Sequence, residues 1–187
     1  MTNKFLIVGL GNPGIIYQKN RHNIGAYFLC WLRKRWLFPE FRKNKKLLAE
    51  FSSVKNKQKQ IILTVPLLFM NESGKSISIS KRIHQIPLKN IFVVHDDSDI
   101  AGGEFKLSFD RGSAGHKGID SIIRSFGSQK FHRLRIGVRQ DAGKRKKADE
   151  IVLKNFQPEE VKKIEEKFEM MGKELEKRIE KIIAENR

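Results

Sequence analysis

Apolar residues in this chain follow two alternating patterns, short continuous runs and longer three-to-four-residue repeats. Lys4–Leu10 and Ile91–His95 are β-branched and apolar throughout, which predicts strands buried on both faces. Leu47–Val54 and Gln60–Val65 read as two more strands. The polar turn between them, 55–59, makes them an antiparallel hairpin. Glu104–Phe109 is a weaker strand, and Arg133–Val138 a further one. Helices are predicted over His22–Arg35, Met70–His84 and Gly115–Phe126, and Asp141–Lys147 reads as a charged loop. After Pro158, a good first helical residue, Val161, Ile164, Phe168, Met171, Leu175, Ile179 and Ile182 form one apolar stripe. This predicts a long C-terminal helix packed on the body of the protein. Strands alternating with helices imply an α/β fold, a single domain over 1–187 with a twisted mixed β-sheet flanked by helices. Sites in such sheets collect at the carboxyl ends of strands, so Gly9–Arg21 and His95–Gly103 are the places to look.

Composition narrows the function. The net charge is +17, and it is unevenly spread. Residues 33–59 hold ten Lys/Arg against two acids, and 130–147 hold eight against one, whereas Glu159–Arg187 is nearly balanced. Such basic stretches suit a polyanion, most simply nucleic acid. The single cysteine, Cys30, lies in an apolar run and is expected to be buried and inert. No internal disulfide is possible, which fits a reducing compartment. The apolar run at 5–8 is too short for a signal peptide, and no segment approaches the ~20 apolar residues of a membrane span. A cytoplasmic monomer that does not engage membranes is the expectation.

Gly9-Leu10-Gly11-Asn12-Pro13-Gly14 nominally matches the dinucleotide fingerprint, but its context does not fit. A Rossmann unit needs a helix at once and a parallel strand closed by an acid about 20 residues on. Here residues 17–21 are polar, and the next strands read as a hairpin. The loop instead exposes backbone and holds Asn12 extended before Pro13. His22 follows at a predicted helix start. His95, Asp96, Asp97 and Asp99 crowd one loop, but four neighbours in five positions rarely converge on one ion, so no metal is expected.

Residues 8–14, Tyr17 and Arg21-His22-Asn23-Ile24-Gly25 together resemble the opening signature of bacterial-type peptidyl-tRNA hydrolases. Residues 66–74, 94–99, 112–118 and 131–138 resemble that family's later motifs in the same order, so the resemblance spans residues 4–138. It implies hydrolysis of the ester between peptide and tRNA, with no cofactor and peptidyl-tRNA as partner. His22 would be the general base and Asp96 its orienting acid. Histidine suits this role because its charge changes near neutral pH, and a carboxylate on one nitrogen fixes which tautomer faces water. Asn12 and Asn71 would hold the scissile region and the substrate's 3′ end. Tyr17, Phe69 and Met70 would line the cleft, with Tyr17 or Phe69 stacking on the terminal adenine or the peptide. His116 would lie by the rim, while His84, His95 and His132 are read as structural or surface residues.

Two departures from the family pattern stand out. Lys117 occupies a position that is usually Asn, where its charge could meet a phosphate. Ser108 replaces a common second basic residue, which leaves Lys106 and Arg135 to grip the tRNA 5′ phosphate. Two other classes stay open: a non-catalytic RNA-binding relative of the same fold, and a nucleotide-dependent oxidoreductase.

Overall fold

The computed structural model describes residues 2–139 and 152–186, so the expected charged loop Asp141–Lys147 lies outside the described residues. A seven-stranded sheet runs through the molecule: β1 (Asn3–Gly9), β2 (Arg42–Asn44), β3 (Ala49–Lys55), β4 (Lys59–Pro66), β5 (Ile91–Ala101), β6 (Phe105–Phe109) and β7 (His132–Arg139). Their order is β2-β3-β4-β1-β5-β7-β6. β1 lies parallel to both β4 and β5, and β5 parallel to β7. The hairpin partners β2–β3 and β3–β4, and the edge pair β6–β7, are antiparallel. The mixed sheet expected from the sequence is therefore present. β2 was not legible because three polar residues on an edge carry no apolar pattern.

Strand periodicity divides the core. Phe5 and Ile7 of β1 face α1 (Ile24–Arg35) and the C-terminal helices, while Leu6, Val8 and Leu10 face α2 (Ser73–His84) and α3 (Lys117–Phe126). All five side chains are fully buried, which explains why β1 is apolar without alternation. The C-terminal stripe packs on the protein's own sheet through Ile164, Phe168, Met171, Leu175 and Ile179. It is carried by two helices rather than one, α4 (Pro158–Glu165) and α5 (Phe168–Glu185). Between them the Lys167 N–H bonds the Ile164 carbonyl, a tightened turn that keeps both stretches on the sheet. No helix among the described residues is long and apolar enough to cross a membrane.

Cys30 is a correction. Phe28, Leu29 and Leu32 take the inward face of α1, and helical spacing turns Cys30 outward, where it is exposed.

One close approach sets up the site. A Cβ on Gly25 would lie 2.2 Å from the Val94 carbonyl oxygen and 2.7 Å from the Leu10 nitrogen. Lacking one, the first turn of α1 sits directly on the ends of β1 and β5. The Leu10 N–H donates to Val94 O at 3.0 Å, and the Ala26 N–H to Leu10 O at 2.9 Å. The segment just before α1 is thereby fixed against the carboxyl edge of the sheet.

Candidate active site

That segment, a 3₁₀ turn over Arg21–Asn23, carries His22. Across from it, β5 runs on through the polar residues after His95, because Asp96 and Asp97 pair with Ile136 and Gly137 of β7. A strand holds Asp96 where the sequence suggested a loop. His22 Nδ1 lies 2.8 Å from Asp96 Oδ1, and both side chains are buried.

His116 reaches the same oxygen. Its Nε2 lies 3.0 Å from Asp96 Oδ1, and its ring centroid is 4.9 Å from that of His22. His116 is also the N-cap of α3: its Nδ1 accepts from the N–H groups of Gly118 and Ile119, at 3.1 and 3.3 Å. An accepting Nδ1 carries no proton, so Nε2–H is the donor to Asp96. His116 is thus held as one neutral tautomer. His22 differs, because its Nε2 has no hydrogen-bond partner among the described residues, while its Nδ1–H points at the carboxylate. His22, Asp96, Asp97, Ser113, His116 and Lys117 line one cleft.

Electrostatics follows from this packing. Burial alone would raise the Asp96 carboxyl, but His116 and then His22 outweigh it and hold the group well below the ordinary carboxylate range. Asp96 is therefore an anion wherever the protein is folded at ordinary pH. Beneath it, His95 donates Nδ1–H to the Asp96 carbonyl at 2.6 Å, and its ring meets His116 edge-on at 4.6 Å. Burial, helped by His116, pushes the His95 pKa far down, so it adds no cation. The nitrogen and oxygen atoms of His22, Asp96 and His116 lie within 4.8 Å of one another, as a metal triad's would. Hydrogen bonds already account for every one of these contacts: each imidazole N–H has Asp96 as acceptor, and the helix cap uses the remaining His116 nitrogen.

Asn12 sits at the other side of the cleft. Asn23 clamps its backbone in both directions, accepting from the Asn12 N–H and donating to the Asn12 carbonyl, each at 2.9 Å. Asn12 Oδ1 accepts the Met70 N–H at 2.8 Å, which leaves the side-chain NH₂ as a positioned donor. Asn71 follows, itself exposed, on the 3₁₀ turn Met70–Glu72. Tyr17 meets Phe69 edge-on, with ring centroids 6.1 Å apart, and Phe69 is half-exposed. Met70 does not line the cleft. It is buried with Leu10 and Ile119 beneath it, because Gly118 leaves room for its sulfur.

The basic residues occupy the β7–β6 side. Lys106 and Arg135 are cross-strand partners, which puts both side chains on one face. Lys106 is exposed, whereas Arg135 donates its Nε–H to Asp97 at 2.7 Å and keeps its other donors. Opposite Ser108 stands Arg133, buried and bonded to the Gly112 carbonyl. Burial, then Arg135 and Arg111, lowers its pKa to about 10. It supports the loop leading to His116 rather than replacing the cation missing at 108. Lys117 is exposed at the first position of α3. His132 stacks on Phe92 and is structural, as expected.

Three features were not read from the sequence. Asn23, directly after His22, clamps the Asn12 backbone. Arg21 makes a two-pronged pair with Glu160 of α4 at 2.8 and 3.0 Å, tying the C-terminal region to the His22 turn. The bond from His116 to Asp96 had one signal, a histidine after Gly115 just ahead of a helix.

A buried carboxylate holding an imidazole at the carboxyl edge of a parallel sheet, beside a basic rim, defines the class: an α/β enzyme equipped to activate water near a polyanion. The family is then specific. The model of the family "Peptidyl-tRNA hydrolase" matches residues 6–186, and the chain belongs to that family. Peptidyl-tRNA hydrolase of Mycobacterium tuberculosis is 36% identical over 160 residues, 86% of this chain and 83% of the relative. That of Dichelobacter nodosus is 43% identical over 133 residues, 71% and 70% of the two chains. The crystal structure of peptidyl-tRNA hydrolase from Acinetobacter baumannii superposes with a TM-score of 0.87 at 27% identity, covering 99% of this chain and 93% of that one.

Proposed function

We propose that this chain hydrolyses the ester joining a peptide to tRNA, with His22 as general base. One observation carries the assignment: His22 spends Nδ1–H on a buried anion, and its Nε2 has no hydrogen-bond partner among the described residues. Nε2 takes a proton from water as that water attacks the ester carbonyl. Asp96 stabilises the imidazolium that forms. The tetrahedral oxyanion then collapses and expels the ribose oxygen, which recovers the proton from His22. Such acid–base help is worth roughly 10²–10⁴-fold. The Asn12 NH₂, fixed through Met70 and Asn23, and the Asn71 amide are the donors for the oxyanion and the 3′ end. Lys106, Arg135 and Lys117 supply phosphate contacts on the opposite side, and Tyr17 and Phe69 stacking surfaces. No cofactor takes part, and a cytoplasmic monomer suffices for this chemistry.

The test is release of labelled N-acetyl-aminoacyl product from tRNA by purified protein. Turnover supports the hydrolase. Tight tRNA binding with an intact ester would instead assign a non-catalytic RNA-binding relative.

A further inference from the structure

The strand order separates two kinds of surface around Asp96. On the β7–β6 side lie Lys106, Arg111 and Arg135, while Lys117 stands at the start of α3. On the β1–β4 side, residues 8–18 and 64–71 contain no charged side chain at all, in a chain of net charge +17. Between Asn12 and His22 the chain turns at Gly14 (φ 105°) into a single 3₁₀ turn, Ile15–Tyr17, that buries none of its residues. Ile15 is 80% exposed and Ile16 73%. Neither isoleucine serves the core. Both stand in the same turn as Tyr17, which meets half-exposed Phe69. The turn is anchored at both ends, through the Asn23 clamp on Asn12 and through the Tyr17 carbonyl, which accepts the Asn20 N–H at 2.9 Å.

We infer that Ile15 and Ile16, with Phe69, form a ledge that selects peptides with apolar side chains at the residues preceding the one that carries the scissile ester. The inference rests on the hydrolase reading above. That substrate has two halves, a polyanion and a peptide. A phosphate here would find no charged side chain in residues 8–18 or 64–71, whereas an apolar side chain would remove exposed isoleucine surface from water. The basic side takes the RNA, and the uncharged side is left for the peptide.

The experiment compares two substrates on one tRNA, N-acetyl-Leu-Leu-Gly-tRNA and N-acetyl-Gly-Gly-Gly-tRNA, so that the ester itself is constant. Wild type is expected to favour the leucyl substrate. The double variant Ile15→Ser/Ile16→Ser loses roughly tenfold in kcat/KM on it, through KM, and changes little on the glycyl one. Ile15→Leu/Ile16→Leu keeps the preference. Melting temperatures of both variants stay at the wild-type value, since the positions are exposed. Equal losses on both substrates, or no loss on the leucyl one, overturn the ledge. A wild type that cleaves neither substrate overturns the hydrolase reading itself.

Discussion

His22 and His116 both reach Oδ1 of Asp96, at 2.8 and 3.0 Å, but they come from regions built to different ends. The β1–α1 junction is held by close backbone contact at Gly25 and by the Asn23 clamp, and it delivers a histidine with one nitrogen uncommitted among the described residues. The start of α3 spends the other nitrogen of its histidine on two backbone N–H groups. The same hydrogen bond to the same carboxylate is thus compatible with two roles, the base proposed for His22 and a support at His116. What distinguishes them is the use of the second ring nitrogen, which a residue list does not show.

The largest effect is expected where the two regions meet. Asp96→Asn removes the anion that orients His22, and its amide offers N–H groups to imidazole donors. Turnover should fall by at least ~10²-fold with the protein still folded by circular dichroism. Asp96 also shapes acid stability. Its folded pKa is depressed, so its contribution to stability is complete above the unfolded value near ~4 and is lost as pH falls toward the folded value. A wild-type advantage over Asp96→Asn in denaturant titrations should therefore shrink below about pH 4; a constant advantage would mean that the carboxylate is not held by the two histidines.

Next comes the junction. Gly25→Ala would drive a Cβ into the Val94 carbonyl and should destabilise the fold by on the order of 2–3 kcal/mol in urea unfolding, with turnover falling as the His22 turn shifts. At α3 the effect is smaller. His116→Ala should cost about 1 kcal/mol of stability by removing the cap, and His116→Asn should recover most of it because Asn caps well. Smallest is Arg135→Gln: binding of tRNA should weaken a few-fold, and the slope of log affinity against log salt should drop by about 1. An unchanged slope would show that the Asp97 pair keeps Arg135 from the phosphates.

Sequence pattern made the architecture legible wherever burial was one- or two-sided. β1 and the apolar part of β5 were readable because both faces are covered, and the C-terminal stripe because one face is. The edge strand β2 and the polar continuation of β5 were not, since pairing with β3 and β7 holds them in place without an apolar signature. His22, Asp96, Asn12 and Asn71 could be named because the motifs around them resemble those of the family. Their supports could not: the Asn23 clamp, the Arg21–Glu160 tie and the second histidine on Asp96 depend on contacts between segments up to 139 residues apart. Cys30 was misread because an apolar neighbourhood in sequence does not fix which helix face a residue takes.

The most direct test is single-turnover cleavage of N-acetyl-aminoacyl-tRNA by His22→Ala and His116→Ala side by side. His22→Ala is expected to lose at least roughly a hundredfold, while His116→Ala stays within about tenfold of wild type. A His116→Ala variant as inactive as His22→Ala, or a His22→Ala variant that still turns over, would contradict the division of roles between the two histidines.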